Sequence, residues 1–426
     1  MNPAFLTLPQ VQTDWKSLKL PEFQYTEWKS GFGLYQIQTN KKGLCSMEIV
    51  FRNGRCSEHK KLVARLTANQ LQEGTLKLHS EEVADIIDFY GAQLAIFADL
   101  DFTVISMSCL QKHFEYLALF ICDLIANPAF REEDLNRAKK VLKSQLQHQL
   151  TEPDYVSYRE FTSLIYGRDS VYGYNTQTDL IDDVKPADLF RYQQENYIAD
   201  YMNVFYCGEL NAKTDRLFQK IGELFPLKNK GPISIPDHAS TERLIKQIPI
   251  ANCAQSSLKM GKRMFRKQDP DFFGMYVLNT ILGDYFGSRL MKNIREDKGY
   301  TYDIHSTLDA QVYDGCFYIS AELNPEKMQD AIHNIQQELI LLQERKIPKP
   351  ELELVRNYLC GNIMRLLDGP FQTMVFIKIL VTEYGSTASL EELMDAILTV
   401  DSEKLKGLGQ RYLNPETMSL VTAGAV

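Results

Sequence analysis

Histidine is scarce in this chain, and it is scattered. The seven histidines among 426 residues stand at positions 59, 79, 113, 148, 238, 305 and 333. The nearest two, His59 and His79, are 20 positions apart, so no helix carries a pair at the i, i+4 spacing that holds a metal ion on one helix face. The eight cysteines form no Cys-x-x-Cys, which excludes a redox dithiol or a zinc ribbon. Most of them sit among apolar residues, and buried free thiols in a reducing compartment are expected. The longest apolar run, YLALFICDLIA (116–126), contains Asp123 and falls well short of the roughly 20 residues of a membrane span. The opening MNPAFLTLPQVQTDWKS has neither the basic start nor the unbroken apolar core of a signal peptide. These absences predict a cytoplasmic protein without a membrane anchor. Lys and Arg number 47 against 55 Asp and Glu, for a net charge of −8, so a broad nucleic-acid footprint is not expected. The one glycine-containing candidate for a phosphate loop, GDYFGSR (283–289), has neither the spacing nor the lysine.

What the chain does have is an ordinary globular composition, 44% hydrophobic and 24% charged, in a length that argues for two or more domains. It also repeats itself faintly. SEEVADIIDFYG (80–91) and SRLMKNIREDKG (288–299) each place a serine, a candidate N-cap, eleven residues before a glycine that can close a helix in the left-handed conformation. Val83, Ile86, Ile87 and Tyr90 form an i, i+3, i+4, i+7 stripe in the first copy; Leu290, Met291 and Ile294 do similar work in the second. TEPDYVSYREFTSLIYG (151–167) echoes DGPFQTMVFIKILVTEYG (368–385). YIADYMNVFYCGEL (197–210) echoes YLNPETMSLVTAGAV (412–426), each with a Met six residues before a Gly. Strands are predicted at 45–52, 101–110 and 315–323, and a long helix over 131–150.

Strands and helices mixed without strict alternation predict an α+β fold of two homologous domains, each a mostly antiparallel sheet covered on one face by helices. The segment 226–244, rich in Pro, Gly, Ser and charge, is expected to link domains at 1–225 and 245–426. The charge runs EHKK (58–61), REED (131–134) and NRAKK (136–140) read as solvated faces.

From about residue 31 to the end, this layout resembles the pitrilysin/insulinase-like zinc metallopeptidases, in the branch of the mitochondrial processing peptidase. The resemblance implies paired α+β domains that close around an unfolded peptide. Active members carry His-x-x-Glu-His, two metal ligands around a general base, followed by Gly-Thr, with a further Glu ligand on a later helix. With Gly74-Thr75 as anchor, the first His position falls on Arg65, the base on Ala68, the second His on Asn69 and the later Glu on Gln145. No metal ligand and no base survives, and Ala95 stands where the family's substrate-contacting Asn would be.

The second half is similar to the family's other signature. In LNTILGDYFGSRLMKNIREDKGYTYDIHS (278–306), the resemblance assigns Arg295 and Tyr302 to a pair that reaches a substrate carbonyl at a zinc site, with Tyr300 as a neighbouring ring in the same stretch. A phenolic O–H and a guanidinium are donors suited to a tetrahedral oxyanion. Ser288 is expected to cap the preceding helix and Gly299 to end it. The implied protein is a zinc-less subunit that binds no cofactor itself. Its expected partner is a homologous subunit bearing His-x-x-Glu-His and the zinc, its substrate an unfolded peptide, and a homodimer when alone stays open. The alternative is a structural core-type or peptide-binding scaffold with no catalytic role. A self-sufficient hydrolase with a relocated metal site is disfavoured by the missing His pair.

Overall fold

The structure is a computed structural model describing residues 15, 18–28, 31–39, 43–231, 233, 235 and 243–425. The expected linker therefore lies partly outside the described residues, at 232, 234 and 236–242.

The first half contains strands β1 (Gln24–Glu27), β2 (Gly33–Gln38), β3 (Leu44–Phe51), β4 (Gln93–Ala98), β5 (Thr103–Leu110) and β6 (Met202–Gly208). Its helices are α1 (Val63–Gln70), α2 (Ser80–Phe89), α3 (Phe114–Ala126), α4 (Glu132–Gln149), α5 (Pro153–Tyr166), α6 (Thr178–Asp183), α7 (Pro186–Asn196) and α8 (Ala212–Leu224). The second half contributes β7 (Ile245–Pro249), β8 (Ser256–Met264), β9 (Ile304–Ala310), β10 (Gly315–Leu323) and β11 (Ser419–Gly424). Its helices are α9 (Phe272–Leu282), α10 (Met328–Glu344), α11 (Lys349–Leu366), α12 (Pro370–Glu383), α13 (Ser389–Thr399) and α14 (Ser402–Tyr412), with a π-helical segment at Met291–Asp297.

Among the described residues two sheets form, ordered β1-β2-β6-β3-β5-β4 and β7-β11-β8-β10-β9. The repeat seen in the sequence is visible in the pairing. β6 runs parallel to β2 and antiparallel to β3, and β11 runs parallel to β7 and antiparallel to β8. All other neighbours are antiparallel. The fold is α+β with two homologous domains, and the first adds β1 at its edge.

Alternation along the strands divides each sheet into two faces. On β3, Cys45, Met47, Ile49 and Phe51 enter the main core with α1 and α3, while Val50 joins a smaller cluster on the opposite face. That opposite face is closed by the other half: Met374, Ile377 and Val381 of α12 pack on Ile37, Val50 and Phe205. Reciprocally, Phe161 and Ile165 of α5 pack with Cys316 and Val421 of the second sheet. Each sheet thus has its own helices on one face and a single helix from the other half on the second, an exchange beyond the one covered face expected from the sequence.

Helix ends follow local chemistry, with two corrections. Gly91 (φ +58) and Gly299 (φ +65) both adopt the left-handed conformation after their helices. Ser80, however, is the first residue of α2 and not its cap: His79 stands before it, and its N–H donates to Glu82 Oε2 at 2.8 Å. Ser288 does not cap either, because its Oγ is buried without a hydrogen-bond partner. All eight cysteines are free, and six are buried, as apolar surroundings favour.

Candidate functional site

Helix α1, which carries the expected motif positions Arg65, Ala68 and Asn69, is pinned at both ends. Leu62, at φ +71, turns the chain into it. Glu58 Oε1 accepts from Ala64 N–H at 3.0 Å in the helix's first turn, and Tyr174 O–H donates to the other carboxylate oxygen. Leu62 N–H donates to the same phenol at 3.1 Å, and Arg55 stacks on the Tyr174 ring, Cζ to centroid 3.6 Å. Burial pushes the Glu58 carboxyl up to about 7, against the opposing pull of the Tyr174 hydroxyl and the Arg55 charge.

At the other end a short turn, Leu71–Glu73, leads to Gly74 at φ +105. A Cβ there would stand 2.2 Å from the Leu78 carbonyl, so only glycine fits. Arg131 donates from Nη2 to the carbonyls of Thr75 (2.5 Å) and Leu78 (3.3 Å), tying this loop to the start of α4. The charge runs expected to be solvated are therefore partly structural. Glu58 braces α1, Lys60 bonds Asp188 at 2.9 Å, Arg131 holds the Gly74 loop, and Lys139 donates to the Asp182 carbonyl at 3.1 Å. Their partners lie far away in sequence, so no local pattern marks them.

On this intact framework the four motif positions carry no metal chemistry. Arg65 and Asn69 share the exposed face of α1, Gln145 is exposed on α4, and Ala68 is fully buried. A guanidinium, two amides and a methyl group do not make a zinc site. Among the described residues, no group of three or more His, Cys, Asp or Glu is placed to hold a metal ion.

Arg295 and Tyr302 lie in the second half, at the end of the π-helical segment and just beyond it. The segment closes wide: Tyr300 N–H reaches back to Ile294 O at 3.0 Å and Gly299 N–H to Arg295 O at 3.2 Å. Such segments recur at functional sites. Arg295 is half-buried with its guanidinium over the Phe286 ring, Cζ to centroid 4.8 Å, and it makes no ion pair among the described residues. Tyr302 is 85% exposed. Tyr300 is instead packed against the second core, with Lys327 Nζ 5.7 Å from its ring centre. Of the two rings, Tyr302 is the available one. Phe286, in the same 278–306 stretch, has no local sequence signal that marks it as the support for Arg295.

Two sequence-family models match. Residues 35–171 match the insulinase family (peptidase family M16), and residues 183–359 match the peptidase M16 inactive domain. The chain belongs to the insulinase-like M16 peptidase family. Within that family it is 22% identical over 345 residues to the uncharacterized zinc protease YmxG of Bacillus subtilis, covering 81% of this chain and 84% of that one. It is also 22% identical to the uncharacterized zinc protease ML0855 of Mycobacterium leprae, over 78% of this chain and 76% of the relative. Among solved structures, a peptidase M16 inactive domain from Pseudomonas fluorescens superposes with a TM-score of 0.87 at 21% identity, over 95% of this chain and 99% of that one. The Escherichia coli periplasmic protease PqqL gives 0.80 at 14% identity, over 96% of this chain and 46% of PqqL. As a family member, this chain lacks the zinc motif. Among the described residues, no helix is long and apolar enough to cross a membrane.

Proposed function

We propose that this chain is the zinc-less subunit of a two-chain metallopeptidase, with domains at 1–225 and 245–426. It supplies part of the wall of a substrate chamber and the donor pair Arg295 and Tyr302 to a partner's site. The observation that carries this reading is a contrast. The motif helix is braced at both ends yet bears no ligand, whereas Tyr302 is exposed and Arg295 is held on Phe286 without an ion pair among the described residues. An exposed phenol and a guanidinium without a carboxylate partner among the described residues remain available to a substrate oxygen.

In peptide hydrolysis the scissile carbonyl oxygen gains negative charge as the carbon becomes tetrahedral. Donors that meet that oxygen lower the barrier when they are stronger partners for the oxyanion than for the resting carbonyl. The Tyr302 hydroxyl contributes one such donor, and the Arg295 fork adds charge and direction. The metal belongs to the partner, a homologous subunit with His-x-x-Glu-His; the substrate is an unfolded peptide, and the compartment is the cytoplasm.

The test is reconstitution with such a subunit and an unfolded peptide. Tyr302→Phe and Arg295→Lys should each lower kcat by about 100-fold, with small changes in substrate affinity. If both pairs assemble and stay within a few-fold of the unmodified activity, the chain is a scaffold.

A further inference from the structure

The position without metal ligands is rich in positive charge. Arg65, which takes the first ligand position, is exposed on α1 and has no hydrogen bond or ion pair among the described residues. Its electrostatic neighbours are Tyr155, Arg55 and Tyr174. Two further cations sit on one of those rings: Arg55 Cζ lies 3.6 Å and Lys61 Nζ 5.4 Å from the centre of Tyr174. Arg159 lies against the other, Cζ 5.8 Å from the centre of Tyr155. Arg159 Nη2 donates to Thr176 O at 3.3 Å, but Nη1 is buried with no partner.

Four cations thus face two carboxylates in a chain whose net charge is −8. Neither carboxylate neutralises Arg65. Glu58 is engaged by Ala64 N–H and Tyr174 O–H, and Asp169, almost fully exposed, pairs with Lys61 at 3.0 Å. Arg55 donates from Nη1 to the Val171 carbonyl at 3.2 Å, and the planar fork of a guanidinium matches a carboxylate.

We propose that α1 carries a carboxylate-binding subsite centred on Arg65 and flanked by Arg55, for the C-terminal carboxylate or an acidic side chain of an unfolded peptide. Positive charge at this helix is then supplied by guanidinium groups in place of a metal ion, and the site binds where an active relative cleaves. The proposal rests on the reading that unfolded peptides are the substrates, but it needs neither Arg295, Tyr302 nor a partner subunit.

The full chain is titrated against four versions of one short, unstructured, fluorescein-labelled peptide by fluorescence anisotropy. The versions combine a free or amidated C-terminus with an internal Glu or Gln. A carboxylate that docks should tighten binding about tenfold relative to the amidated Gln peptide. Whether the terminal or the internal carboxylate gives the gain identifies its source. Raising the salt should reduce the gain. Arg65→Gln should abolish the discrimination and Arg65→Lys, which keeps charge without the fork, should retain part of it; the thermal melt should barely change, because residue 65 is exposed. Equal binding of all four peptides, discrimination that survives Arg65→Gln, or equally tight binding of a single-stranded oligonucleotide of matched charge would overturn the subsite and leave the peptide reading standing. No binding of any version would overturn the subsite and leave the two-chain reading to the reconstitution test.

Discussion

Lys378 on α12 and Glu48 on β3 form an ion pair, Nζ to Oε2 2.5 Å, that joins a helix of the second half to the sheet of the first. The reciprocal contact exists with the charges reversed: Lys259 on β8 bonds Asp154 on α5 and, at 2.6 Å, Ser320 Oγ. The strand positions correspond, since Glu48 stands opposite Phe205 on β6 and Lys259 opposite Val421 on β11. The exchanged helices are fixed by apolar contact and also by charge.

Removing one partner of the mostly buried Glu48–Lys378 pair should therefore be costly. Lys378→Met leaves the Glu48 carboxylate, whose side chain is 12% exposed, without its counter-ion. A loss of about 3–5 kcal/mol is expected from the urea midpoint, and Glu48→Gln added to Lys378→Met should restore most of it. A single-variant loss below about 1 kcal/mol would mark the pair as no stronger than a surface contact.

Gly74→Ala should destabilise the loop that follows the motif helix. The left-handed backbone and the approach of Leu78 O both oppose a side chain, and a cost of about 2 kcal/mol or more is expected in the thermal melt. Amide exchange should quicken at Thr75 and Leu78, which are bonded to one another at 3.0 Å.

Glu58 should give stability an unusual slope with pH. Its carboxyl is raised from 4.5 to about 7 on folding, so the folded chain binds the proton more tightly than the unfolded chain. That contribution is fully present below about pH 4.5 and is lost as pH rises through about 7. Glu58→Gln cannot titrate. The difference in Tm between wild type and variant should therefore move against the wild type as pH rises across that window. A difference that does not change with pH would show that the carboxyl is not buried in solution.

Trypsin should cut slowly at Lys228 and Lys230, although both are exposed at the edge of the expected linker. Their amides donate to the two carboxylate oxygens of Asp200 at 2.7 and 2.8 Å, and their Nζ groups to the carbonyls of Gln194 and Glu195. Burial works against the Asp200 charge, yet these amides hold its carboxyl below the usual range. Asp200→Ala should release the segment and speed cleavage at both lysines several-fold by mass spectrometry of the fragments. An unchanged rate would mean that the hydrogen bonds do not restrain the chain.

Much of the molecule was legible because its signals are local. The stripe of Val83, Ile86, Ile87 and Tyr90 faces the first core, Gly91 and Gly299 end their helices, and the strand expected at 315–323 is β10. The absence of metal ligands at Arg65, Ala68, Asn69 and Gln145 is a property of residue type alone, and no folding could restore them. The repeat of the two halves was also readable, since the two sheets share one strand order apart from the extra β1, and their matching strands keep equal spacings of Met and Gly at Met202–Gly208 and Met418–Gly424.

The rest depends on which distant residues meet. Periodicity shows that α5 and α12 each bury an apolar face but not that each buries it on the other half's sheet, because side-chain pattern is silent about the identity of the surface it meets. A run such as EHKK is solvated unless something covers it, and the cover for Glu58 comes from Tyr174, 116 residues away. Ser288 has the right type for a cap, yet packing buried its hydroxyl instead. Arg295 and Tyr302 could be placed by number from the sequence. Only the tertiary structure decided that the arginine rests on Phe286 and the tyrosine stands free, because exposure and cation–π contact are made by the surrounding chain and not by the residue itself.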